Sequence, residues 1–188
     1  MVELEPAESI VCSYVVDADD IVLAVDQGFH DFARDNGAPS LSRGVVGSLV
    51  WRFIADAPSR HLYQLLFRHA RETGRTVRVP HRCDSPNVLR EMAIEIIPGP
   101  RRSLQIVSRS VRAEAREHID LLDPMVPRSG DLIRLCSWCK ALQVGDAWVP
   151  LEAALATTTF RGRESVPPVS HSACPDCTTR VMHTIGAA

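Results

Sequence analysis

Four of the six cysteines stand in two C-x-x-C pairs near the C-terminus: Cys136 and Cys139 in "RLCSWCK", and Cys174 and Cys177 in "SHSACPDCTTRV". A gap of two residues lets both thiolates of one tight turn bind a single tetrahedral ion, so two such pairs supply a complete four-thiolate set. The same residues could also make a disulfide framework or a thiol redox centre. The N-terminal "MVELEPAESIV" lacks the basic region and apolar run of a signal peptide, and no stretch approaches the ~20 apolar residues that cross a bilayer. The expected location is therefore cytoplasmic, without membrane association, where structural disulfides are disfavoured. That leaves metal binding, with zinc as the expected ion, and redox chemistry.

Four thiolates around zinc leave no position open for water, so the expected site is structural and not hydrolytic. The chain has no H-E-x-x-H, Walker loop, G-x-S-x-G, nucleotide-binding glycine fingerprint or kinase motif set. No catalytic residue is assigned and a non-enzymatic role is expected. His171 precedes Cys174 by the interval that separates Cys174 from Cys177. It is read as a hydrogen-bond donor to a thiolate, with a Cys3His ligand set or an ordinary surface histidine as alternatives. A zinc-thiolate redox switch is the rival function, because bound thiolates can be oxidised with release of the metal.

The 34 residues between the pairs must bring them together. "ALQVGDAWVPL" reads as a hairpin around Gly145-Asp146 and "LEAALATTTF" as a short helix. Pro175 suits the first turn of a further helix, whose N-terminus favours thiolates at Cys174 and Cys177. A cysteine knuckle, a hairpin and a helix carrying the last two ligands make a treble-clef-like zinc module. Trp138 and Trp148 are read as its core.

Upstream, "IVCSYVV" and "IVLAV" flank the acidic turn "DADD" and read as a hairpin. Asp26 caps a short helix that Asn36-Gly37 stops, and "SLVWRFIAD" gives another helical turn. A longer helix begins near Asp56 and Pro58 and ends near Gly74, with Leu62, Leu65, Leu66, His69 and Ala70 on one face. Three β-like runs follow, "TVRVPHRC", "LREMAIEII" and "SLQIVSRSV", with turns at Asp84-Ser85-Pro86-Asn87 and Pro98-Gly99-Pro100. The segment "SVRAEAREHIDLLD" favours helix, with Val111, Ala115, Ile119 and Leu122 as an apolar stripe that could pair with a second chain or pack on its own domain. Cys12 and Cys83 are read as small buried hydrophobes.

The order of two strands, short helices and three antiparallel strands resembles a PAS domain. "VVDADDIVLAVDQGFHDFARDNG" is similar to the family's first hairpin and helix, "VVGSLVWRFI" to its "GxxLWDFI" segment and "MAIEIIPGPRRSLQIVSRSV" to its last hairpin. Asp26 stands where many relatives have Asn, and the Asp-Ile-Thr that often follows the last strand is missing. The resemblance implies a ligand- or partner-binding domain. Trp51, His61 and His69 are its candidate pocket residues, the two histidines lying on the helical stretch where haem-binding relatives carry their axial ligand. The ligand itself is unknown. The C-terminal pattern C-S-W-C-K, W-V-x-L-E and S-H-x-x-C-P-D-C resembles a cysteine-rich tail found on bacterial PAS, GAF and receiver domains, and that resemblance brings no activity with it.

The 188 residues, 45% of them hydrophobic, suffice for one domain and a small appendage. The formal charge of −2 offers no general attraction to polyanions. From residue 131 on, Arg134, Lys140, Arg161, Arg163 and Arg180 are balanced by Asp131, Asp146, Glu152, Glu164 and Asp176, which argues against the second rival, a nucleic-acid-binding regulator. The expected protein is α+β. It has a PAS-like antiparallel sheet with short helices at 8–112, a connecting helix and linker at 113–130, and a zinc module at 131–188. A homodimer, an unidentified protein partner and a sensory or regulatory role in signal transduction complete the expectation, with zinc needed by the module and not by the PAS-like part.

Overall fold

The computed structural model describes residues 8–36, 38, 41–157 and 165–187. The chain is α+β. Strands β1 (Ser9–Val16) and β2 (Val22–Val25) form the first hairpin. Asp17 Oδ1 shapes its acidic turn by accepting from the backbone N–H of Asp19 and of Ile21, both at 2.9 Å. Helix α1 (Gln27–Asp35) follows, capped by Asp26, whose Oδ1 accepts from Phe29 N at 2.8 Å. Gly28 lets this helix press on β1, since a Cβ there would lie 2.3 Å from the carbonyl oxygen of Val11. The one-turn helix α2 (Leu41–Gly44) and a 3-10 turn (Val50–Phe53) lead into α3 (Ala57–Thr73). Asp56 caps α3 and Gly74, at φ 66°, ends it in the left-handed conformation that lacks a Cβ penalty only for glycine. Gly37 and the end of the helix expected at 151–160 lie outside the described residues.

Strands β3 (Val77–Arg82), β4 (Val88–Pro98) and β5 (Leu104–Ala115) complete an antiparallel sheet in the order β2-β1-β5-β4-β3. Period-two alternation aims Val77 and Val79, Ile94 and Ile96, and Leu104 and Ile106 at the core, where they meet Leu62, Leu66, Phe67 and Ala70 of α3.

The helix expected across 110–123 does not form. β5 runs past 112 to Ala115, and the remainder holds only a 3-10 turn at Asp120–Leu122. Alanine, glutamate and arginine favour helix locally, but Val88–Glu91 of β4 offers a ladder that pairs Val88 with Ala115 and Glu91 with Arg112. Beyond the strand, Arg116 N donates to Asn87 O and Ile119 N to Pro86 O, which keeps the chain extended along the β3–β4 turn. The stripe is consequently not one face: Ala115 is exposed, whereas Ile119 and Leu122 pack on a second apolar cluster with Leu121, Leu135, Leu142, Leu151 and Val166.

The C-terminal part is a four-stranded sheet in the order β8-β7-β6-β9. Strands β6 (Ile133–Cys136), β7 (Leu142–Val144) and β8 (Ala147–Val149) are antiparallel neighbours, with Gly145-Asp146 at the expected turn. Helix α4 (Leu151–Thr157) follows. Strand β9 (Val169–Ser172) returns parallel to β6 and delivers the chain to α5 (Pro175–Thr184). Among the described residues no helix is long and apolar enough to cross a membrane.

The two sheets share a core. Cys136, Trp138, Ala141, Cys174, Cys177 and Val181 belong to the same buried apolar cluster as Val16, Leu66, Phe67, Ile94 and Ile96. Trp138 therefore packs outward onto the first sheet's helix, where sequence reading placed it in the core of a separate module.

Candidate metal centre

Cys136 ends β6, and its chain turns back sharply: Lys140 N donates to Cys136 O at 3.0 Å, Cys136 N donates to Ala141 O at 2.7 Å, and Lys140 adopts φ 63°. This turn presents Cys136 and Cys139 together. Parallel pairing of β6 with β9, through Cys136 with Ser172, sets the second cysteine pair beside the first. Cys174 is the N-cap of α5, and its Sγ accepts from Cys177 N at 3.4 Å. Pro175 fills the first turn, where its missing N–H costs no helical bond. All four sulfurs lie within 4.8 Å of one another, with Cys136, Cys174 and Cys177 buried and Cys139 partly exposed.

The geometry fits a tetrahedral ion. A metal–sulfur bond of about 2.3 Å sets neighbouring sulfurs about 3.8 Å apart; Cys139 Sγ and Cys174 Sγ stand 3.7 Å apart. None of the six cysteines is in a disulfide. Cys136 Sγ also accepts from Cys174 N at 3.3 Å, a backbone dipole that favours thiolate.

The proton balance carries the same message. Hydrogen bonds from the Cys139 and Cys177 thiols hold Cys136 far below the usual thiol range. Donating to Cys136 pushes Cys139 up to about 11 and, with Cys139 adding to the effect, raises Cys177 as well. A cation at the centre of so small a volume would offset the repulsion among several thiolates. The donor set is all sulfur, which suits zinc among borderline and soft ions.

His171 lies on β9 with an exposed side chain, and the four-sulfur group does not include it. Among the described residues, no other three His, Cys, Asp or Glu side chains gather as ligands. Trp51 packs on Phe67 at 5.1 Å and donates its indole N–H to Asp20 Oδ2 at 2.9 Å. His61 is exposed on α3 and His69 half-buried further along it. A surface cleft of about 320 Å³ is lined by Leu41, Gly44, Ser48, Arg52 and Phe53. Burial pushes the thiols of Cys12 and Cys83 up, which keeps them protonated.

Two groups of residues around the centre escaped the sequence reading. Asp56, Ser59 and Tyr63 of α3 receive the residues between Cys136 and Cys139. On the other side, the wholly buried carboxylate of Asp84 pairs with Arg82 and with Arg116, whose Nη1 is 3.0 Å away. Glu152 of α4 closes this group, 2.6 Å from Arg82 Nη2. Glu152 was visible as part of W-V-x-L-E, but nothing in that motif names partners 70 and 36 residues upstream.

No family model and no curated protein matches this sequence. Among solved structures, a domain of an HTR-like protein from Haloarcula marismortui ATCC 43049 aligns at 20% identity, covering 54% of this chain and 97% of that one, with a TM-score of 0.37. A likeness this slight does not establish a shared fold.

Proposed function

We propose that this chain is a cytoplasmic, non-enzymatic regulatory protein of the PAS type, in which one structural zinc ion held by Cys136, Cys139, Cys174 and Cys177 fastens a treble-clef-like module to a ligand- or partner-binding sheet. The observation that carries the reading is the enclosure of four sulfurs within 4.8 Å, one of them capping α5 and one ending β6. Such a site has no vacant coordination position for substrate or water, so its output is shape. The PAS assignment is supported by the succession of two strands, α1 to α3, and three antiparallel strands, as the sequence resemblance implies. Signalling through contact with a protein partner is the output that the PAS resemblance implies. Elemental analysis of purified protein should give one zinc per chain, with loss of most of it in a Cys136→Ser and Cys177→Ser variant. Absence of zinc, or full retention by that variant, refutes the reading.

A second reading, the redox switch, is favoured by the partial exposure of Cys139 and its 3.7 Å distance to Cys174 Sγ. Two thiolates this close can pass to a disulfide when a peroxide accepts their two electrons, with metal released. Zinc release at stoichiometric hydrogen peroxide, reversed by thiol reductant, would support it.

A further inference from the structure

Ser137 and Trp138, the two residues between the first ligand pair, make no bond to the ligand sulfurs; they reach α3. Asp56 splits its carboxylate between two tasks. Oδ1 caps the helix by accepting from Ser59 N at 2.7 Å, while Oδ2 accepts from Ser137 Oγ at 2.9 Å. Ser59 is buried, and its Oγ accepts from Trp138 Nε1 at 3.2 Å. One turn further on, Tyr63 stacks on the Trp138 indole with centroids 4.9 Å apart and planes inclined by 29°. Positions 56, 59 and 63 lie on one face of α3, so the knuckle meets a single continuous stripe. On its other side Trp138 O accepts from Arg82 N of β3 at 2.7 Å, which ties the knuckle to the edge of the first sheet.

We infer that the knuckle is a transmitter: metal occupancy of the four-cysteine centre sets the order of the N-terminal half of α3, and the state of α3 in turn sets metal affinity. This rests on the metal-binding reading above. The physical basis is the shape of the Cys136–Cys139 turn. Bound to one ion, both cysteines hold that turn in the conformation that places Ser137 Oγ, Trp138 Nε1 and the indole face against α3. Removing the ion leaves the sulfurs held by one another and by the backbone N–H groups of Cys174 and Cys177, with left-handed Lys140 at the end of the turn and no bond that fixes the two pairs to one centre. Two hydrogen bonds and a ring stack are then no longer held in register. Of the polar atoms at stake, Ser59 Oγ is buried and Asp56 Oδ2 partly covered, so the loss of the Trp138 bond in particular is felt by the helix. Linkage makes the coupling equal in both directions.

The test uses the full chain with zinc bound. Hydrogen exchange of amides 59–63 is measured before and after zinc removal by a chelator, and zinc affinity is measured by competition for the parent and for Asp56→Ser with Ser59→Ala. Serine keeps the helix cap but cannot also accept from Ser137, and alanine removes the acceptor of the indole N–H while all four cysteines remain. Expected are exchange at least tenfold faster in 59–63 on zinc removal, little change in 66–73, and a zinc affinity weaker by about tenfold in the double variant. If that variant does not fold, Trp138→Phe keeps a stacked ring, loses the N–H and should show a smaller loss of affinity in the same direction. Zinc present with exchange unchanged on its removal, and affinity within twofold of the parent in the folded variant, overturns the inference and leaves the metal reading standing. A protein that binds no zinc overturns both.

Discussion

Replacing Asp84 by alanine should be among the most damaging single changes outside the apolar core. The Asp84 side chain has no exposed surface, while its partners Arg82 and Arg116 are 18% and 13% exposed. The carboxylate also accepts from Arg90 N at 3.2 Å, which fixes the β3–β4 turn. Deleting it leaves two largely covered guanidinium groups with Glu152, whose side chain is 47% exposed, as their carboxylate partner, and with the Ser85 carbonyl oxygen 2.9 Å from Arg116 Nη2. Breaking a buried charge pair by removal of one member costs about 3–5 kcal/mol. For a chain of this length each kcal/mol lowers the melting temperature by roughly 2–4 °C, so a fall of roughly 6–20 °C is expected. Glu152→Gln removes only the exposed member and should cost no more than about 1 kcal/mol. Urea denaturation followed by tryptophan fluorescence measures both, and the midpoint should move without a change of slope. A cost under about 1 kcal/mol for Asp84→Ala, or equal costs for the two variants, would show that the buried cluster does not fasten the module to the sheet.

Burial, with Lys140 nearby, lowers the His81 imidazole from 6.5 to about 4. The unfolded chain thus takes up this proton first, and the stability owed to a neutral His81 is whole above pH 6.5 and lost as pH falls towards 4, by up to about 3 kcal/mol. The stability difference between the parent and His81→Gln, measured by urea titration at several pH values, should shrink across that interval; a difference independent of pH contradicts it. Leu66→Ala, at a fully buried position beneath the sheet, should cost about 2–5 kcal/mol in the same assay. Gly28→Ala should destabilise by about 1–3 kcal/mol, because the added methyl meets backbone of β1 that cannot withdraw cheaply, and a neutral result would mean that α1 stands off the sheet.

Local signals were legible in the sequence because their causes are local. Asp26 and Asp56 cap the helices that begin just after them, Gly74 ends α3, Gly145-Asp146 turns a hairpin and Pro175 opens α5. Each is a matter of a few dihedral angles and one or two orphan hydrogen-bonding groups. The two C-x-x-C pairs belong to the same kind, since each is a single turn. Where the chain had to choose between a local preference and a distant partner, tertiary structure decided. Residues 110–115 carry helix-favouring side chains, yet they extend because β4 supplies a ladder of backbone partners. The two cysteine pairs meet because β9 lies parallel to β6, a register that the 34 intervening residues do not announce. Trp138 read as core of a small module and instead stacks on Tyr63, 75 positions upstream in the chain, within an apolar cluster common to both sheets. Asp84 read as a turn residue and is also a buried carboxylate, because Arg82 at the end of β3 and Arg116 just past β5 converge on it. Burial and charge pairing depend on what the rest of the chain brings alongside, and no window of neighbouring residues contains that information.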